Sequence, residues 1–204
     1  MASSRRFRGF VETYHDKIRK KLRGAADGEA RRDVRAELQV AHLLLADRRI
    51  ELAFEAYGSG KGGPDFSVTL GQQRFNLEVT RLRGAPSPAA FGGTLLPKLL
   101  QLPPSVPNVV VVTIAAAKAD ARDVDSAVRS LRAQADRKDE AFFTARGFLG
   151  TRGFYDRFLR LGAVLAWSEG AVGHARAAAW TNPSARIALP EKALRACVAC
   201  LRGG

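Results

Sequence analysis

The stretch Gly62-Gly63-Pro64-Asp65-Phe66-Ser67-Val68-Thr69-Leu70-Gly71-Gln72-Gln73-Arg74-Phe75-Asn76-Leu77-Glu78-Val79-Thr80 reads as a β-hairpin that sets two carboxylates side by side. Apolar residues alternate on both arms, with Phe66, Val68 and Leu70 on the first and Phe75, Leu77 and Val79 on the second. Gly71 at the first central position suits a two-residue type II′ turn, and the turn fixes the register. Leu70 then faces Gln73, Val68 faces Phe75, Phe66 faces Leu77, and Asp65 faces Glu78. Like charges directly opposite on one face repel, so this pairing calls for a cation between them. Two carboxylates at one sheet edge offer hard oxygen ligands for Mg²⁺ or Mn²⁺. The competing reading is a slipped register with two solvated carboxylates.

Upstream, a helix spans about Glu29 to Asp47, with Val34, Leu38, Ala41, Leu44 and Leu45 as its buried stripe. Glu37 falls on that stripe, where a carboxylate is costly unless an arginine pairs with it or an ion ligates it. Ile50, Leu52 and Phe54 alternate as a strand, and a glycine-rich loop through Lys61 leads into the hairpin. That loop is no Walker motif, since Glu55 and Gly62 stand where Gly and Ser or Thr are required.

Downstream, Gly84 to Gly93 reads as a loop and Leu95 to Leu102 as a short helix carrying Lys98 and Gln101. The apolar run Asn108 to Ile114 reads as a strand covered on both faces. Asp123 is placed to cap a helix with Val124, Ala127, Val128 and Leu131 inward. Phe154, Phe158 and Leu161 suggest another helix. Ala163–Trp167 and Ala175–Trp180 flank Glu169-Gly170 as a second hairpin, and Pro190 opens a final helix to about Leu201.

The 204 residues suit one α/β domain over 29–204, preceded by a basic helical extension over 1–28. A net charge of +13 favours polyanionic partners, either nucleic acid or an anionic membrane surface. In the first segment Phe7, Phe10, Val11, Tyr14, Ile18 and Leu22 form an apolar stripe. Arg5, Arg6, Arg8, Lys17, Arg19, Lys20, Lys21 and Arg23 surround it and are expected to meet phosphates. The lone pair Cys197 and Cys200 lacks the partners of a zinc site and reads as core packing in a reducing cytosol. No signal peptide or membrane-spanning run is visible, which suits a cytoplasmic protein.

The order is Glu37 on a helix, Pro64-Asp65 opening one strand, and Glu78-Val79-Thr80 on the next, followed by a helix and a strand. In this the stretch from Glu29 to Ile114 resembles the PD-(D/E)XK nuclease superfamily, whose restriction-endonuclease-like fold is a mixed β-sheet flanked by helices. The resemblance implies Mg²⁺ or Mn²⁺ held by Asp65, Glu78 and the Val79 carbonyl, with Glu37 added from the helix. It implies hydrolysis of phosphodiester bonds, with DNA as the expected substrate, and leaves a homodimer open. Lys61, Arg81 and Gln101 join the N-terminal cations as expected nucleic-acid contacts. Thr80 stands where the family usually has lysine. Lys98 or Lys61 then supplies the missing charge, or Thr80 only orients a water. Three functional classes stay in play: a metal-dependent nuclease, a nuclease-fold protein that binds nucleic acid without cutting it, and a basic interaction or membrane-surface module.

Overall fold

The hairpin forms in the expected register. In the computed structural model, which describes residues 5–58, 63–115, 120–168 and 176–203, β2 (Phe66–Leu70) pairs antiparallel with β3 (Gln73–Arg81), Phe66 opposite Leu77, Val68 opposite Phe75 and Leu70 opposite Gln73. Gly71 has φ +61° while Gln72 stays out of the left-handed region, as a type II′ turn requires.

Four more strands extend the hairpin into a sheet ordered β1-β2-β3-β4-β5-β6. They are β1 (Ile50–Phe54), β4 (Asn108–Ile114), β5 (Leu161–Ser168) and β6 (Arg176–Thr181). β1–β2, β2–β3 and β5–β6 are antiparallel, while β3–β4 and β4–β5 are parallel. Parallel neighbours need crossover connections. Helix α4 (Pro88–Leu99) makes the first, and α5 (Ala121–Asp136), α6 (Glu140–Thr144) and α7 (Gly150–Phe158) lie within the second. The chain is therefore mixed α/β, a six-stranded mixed sheet flanked by helices.

Each face of the sheet has its own core. On one face Val40, Ala41 and Leu44 of α3 (Gly28–Leu44) and Cys197 and Leu201 of α8 (Glu191–Leu201) pack on Leu77, Val79, Val109 and Val111. On the other, Leu95 and Leu99 of α4, Val124 of α5 and Phe154 of α7 pack on Val110, Val112 and Val164. This is why β4 is buried along its whole length.

The N-terminal segment is two helices, not one. α1 (Arg5–Thr13) and α2 (His15–Gly24) meet at Tyr14, where the Thr13 hydroxyl donates to the Gly9 carbonyl four residues back, a bond that bends helices. Both dock on the core, since Phe10 and Ile18 are buried and Phe10 packs against Phe54 and Phe66.

Other expectations are corrected. α4 begins at Pro88, because Ser87 caps it and accepts from the Ala90 N–H, with Pro88 in the first turn. Gly92, read as loop, is a buried helical position where α4 lies close to Leu131 of α5. Asp120, not Asp123, caps α5. Leu161 opens β5, and the helix before it ends at Phe158. Helix α6 has no counterpart in the sequence reading. Lys61 and the Glu169-Gly170 turn lie outside the described residues. No helix among the described residues is long and apolar enough to cross a membrane.

Candidate functional site

A cleft of about 400 Å³ opens where β2 begins and β3 nears its end, lined by Lys21, Asp33, Glu37, Glu55, Tyr57, Gly58, Gly63, Pro64, Asp65, Glu78, Lys98 and Gln101. Asp65 sits on the bend before β2 and Glu78 within β3, and both are buried. They continue the hairpin ladder with side chains. The Asp65 N–H donates to Glu78 Oε2 at 3.1 Å, and the Val79 N–H donates to Asp65 Oδ2 at 2.9 Å. Glu37 enters from α3, whose apolar stripe packs on the face opposite α4. It too is buried.

The cation that the carboxylate pair calls for is supplied twice. Lys21 Nζ lies 2.6 Å from Glu37 Oε2, 2.9 Å from Asp65 Oδ1 and 3.6 Å from Glu55 Oε1. Lys98 Nζ lies 2.6 Å from Glu78 Oε1. Burial pushes Glu37 up to about 8, Asp65 adds to the rise, and Lys21 pulls the other way. Burial, then Asp65, raises Glu78 to about 7 against the pull of Lys98. Burial opposes the charge on both lysines, but the facing carboxylates outweigh it and hold both above the ordinary lysine range.

Local backbone fits this crowding. Glu55 has φ +44°, an uncommon conformation for a residue with a side chain, held by its N–H donating to the Asp65 carbonyl at 2.8 Å. A Cβ on Gly63 would come within 2.8 Å of Tyr57 Cβ, so only glycine fits beside that ring. The Tyr57 hydroxyl donates to Asn76 Oδ1, and the Asn76 amide donates to Asn108 Oδ1. The Asn108 amide in turn reaches the Pro103, Val106 and Arg160 carbonyls.

The other expected site residues divide. Thr80 is half-buried on β3 and does not line the cleft, whereas Lys98 and Gln101 do. Arg81 turns the other way and pairs with Glu29 and Asp33 of α3. Among the N-terminal cations, Arg5, Arg8, Arg19, Lys20 and Arg23 are exposed. The other three point inward. Arg6 bonds the Leu45, Asp47 and Ile50 carbonyls, and Lys17 bonds the Phe54 and Glu55 carbonyls. Lys21 enters the cleft.

Sequence reasoning missed Glu55 and the inward turn of Lys21. A signal for Lys21 exists, since it follows buried Ile18 by one helical step of three. Nothing in the sequence points to Glu55.

The donor set is chemically suited to a hard divalent cation, being all carboxylate oxygen. Among the described residues no three His, Cys, Asp or Glu side chains already stand as a metal-holding group, and Lys21 lies between two of the oxygens that would form one. Glu37 Oε2 is buried, with the Lys21 ammonium 2.6 Å away.

No protein-family model matches the chain, and no curated protein or solved structure matches it.

Proposed function

We propose that this chain is a divalent-metal-dependent nuclease of the PD-(D/E)XK type, acting on phosphodiester bonds of DNA. The observation that carries this reading is the convergence of Glu37, Asp65, Glu78 and Lys98 in one cleft at the end of a hairpin. The order of elements from α3 through β4 supports it, because a helix, three antiparallel strands, a crossover helix and a parallel strand are what the resemblance requires.

In this reading Glu37, Asp65 and Glu78 would hold Mg²⁺ or Mn²⁺, which supplies a water of lowered pKa and charge stabilisation at the phosphate. Lys98 takes the role of the lysine missing at Thr80. Its ammonium, fixed by Glu78, sits in the cleft as a preorganised cation for charge that develops on the scissile phosphate. Asp65 and Glu78 also tie the start of β2 to β3 beside the cleft. The exposed Arg19, Lys20 and Arg23 on α2 meet the phosphate backbone without reading bases.

One observation favours a second reading. Lys21 and Lys98 already neutralise the carboxylates in part, as in a nuclease-fold protein that binds nucleic acid without cutting it. Incubating plasmid and single-stranded DNA with the protein, with and without Mg²⁺ or Mn²⁺, separates the two. Metal-dependent cleavage lost in Glu78→Gln supports the nuclease. DNA binding without cleavage under every condition supports the binder.

A further inference from the structure

We propose that Lys21 is a tethered counter-ion that competes with a divalent cation for Glu37 and Asp65 and must withdraw before the ion can bind. This inference rests on the metal-dependent reading of the cleft. It concerns a residue outside the usual ligand set, delivered by the second N-terminal helix.

The geometry is that of a competitor. Lys21 Nζ stands 2.6 Å from Glu37 Oε2 and 2.9 Å from Asp65 Oδ1. A divalent ion held by Glu37 and Asp65 would draw on the oxygens that the ammonium already contacts, so the two cations compete for them. Lys98 differs in that its ion pair is with one carboxylate, Glu78, whereas Lys21 spans two.

Lys21 is held in place rather than resting there by chance. Buried Ile18 anchors α2, and Lys17 Nζ bonds the Phe54 and Glu55 carbonyls at 3.1 Å each. The Phe54 ring lies 5.3 Å from Lys21 Nζ. The two ligands it covers are tied unequally. Asp65 also accepts from the Val79 N–H, whereas the buried Glu37 Oε2 meets the Lys21 ammonium. Without a cation opposite it, ionising the buried Glu37 would be costly. Lys21 thus stabilises the metal-free fold and weakens metal binding by the same interaction. Its side chain is 27% exposed, so the flexible stem has a path to solvent.

The test is calorimetric titration of the full chain with Mn²⁺, without nucleic acid, on the unaltered protein and on Lys21→Met, which keeps the stem and removes the charge. Lys20→Met, on the exposed side of α2, controls for general charge. Removing a charge-assisted hydrogen bond predicts Mn²⁺ affinity higher by about tenfold or more in Lys21→Met alone. The metal-free variant should also melt lower and regain stability with Mn²⁺. Equal or weaker affinity in Lys21→Met, with the unaltered chain still binding, overturns the inference and leaves the metal reading intact. No Mn²⁺ binding by either protein overturns both. If Lys21→Met fails to fold, ¹³Cε signals of lysines in the unaltered chain decide the matter. On saturation with Mg²⁺ the Lys21 signal should shift, and an unmoved Lys21 signal with Mg²⁺ bound refutes the competition.

Discussion

Asp65 and Glu78 hold each other's strands: the Asp65 N–H donates to the Glu78 carboxylate, and the Val79 N–H beside Glu78 donates to the Asp65 carboxylate. Two residues proposed as metal ligands therefore also join the arms of the hairpin.

This double duty separates stability from activity. Asp65→Ala leaves the buried Val79 N–H without its acceptor and should cost about 1–3 kcal/mol. Asp65→Asn keeps an oxygen there and should cost less, yet both variants should lose cleavage. Urea unfolding beside a nicking assay checks this. Equal destabilisation by Asn and Ala would mean the bond contributes nothing.

Lys98→Ala should lower the cleavage rate by about 10²-fold or more, the cost of removing one preorganised donor. DNA affinity should change little, because one cation among many that meet phosphates is a small share of binding. Thr80→Lys should be neutral or harmful, since Lys98 already stands on Glu78. A rate unaffected by Lys98→Ala but raised by Thr80→Lys would reassign the missing charge. Single-turnover rates at saturating Mg²⁺ distinguish the outcomes.

The metal-free protein should lose stability as pH rises. Glu37 and Glu78 have folded-state values raised to about 8 and about 7, so the folded chain holds protons that the unfolded chain releases above its ordinary carboxylate value. Their contribution is fully present below about 4.5 and is lost as pH climbs through 7 to 8. The melting temperature measured in chelator should fall by several degrees between pH 5 and pH 8.5. Glu37→Gln should flatten that fall. A fall of the same steepness in Glu37→Gln would remove Glu37 as its source.

The basic N-terminal helices should show two kinds of arginine and lysine. Replacing exposed Arg19, Lys20 and Arg23 with alanine should reduce the salt slope of DNA binding by about 0.9 for each phosphate no longer neutralised, with little change in melting. Arg6→Ala should instead lower the melting temperature, since it strips a donor from the Leu45, Asp47 and Ile50 carbonyls. Deleting residues 1–23 would mix the two effects by removing Phe10 and Ile18 from the core. An unchanged slope in the triple variant would turn attention to a membrane surface.

The hairpin is legible in the sequence because period-two alternation and a turn glycine both act locally and agree. Glu37 is legible for the same reason, as a charge on an apolar stripe. The start of α4 is hidden because Gly and Pro signal loops on average, whereas here Pro88 fills the first turn and Gly92 lies against α5. The inward turn of Lys21 is masked by its neighbours, since a run of cations reads as solvated and outweighs the single cue of its helical step from Ile18. Glu55 is invisible because a left-handed φ on a glutamate follows from its contacts, not from its type.

The parallel pairing of β3 with β4 has one more consequence. The chain must travel back over a face of the sheet between them, and α4 makes that return above Glu78. The reach of Lys98 is thus a matter of helical phase. One residue inserted in α4 ahead of Lys98 would swing it by about 100° around the helix axis, away from Glu78. The same insertion between Leu100 and Pro107, beyond the helix, would leave the angle untouched. Rotation about an axis, rather than spacing along a strand, sets where this positive charge lands.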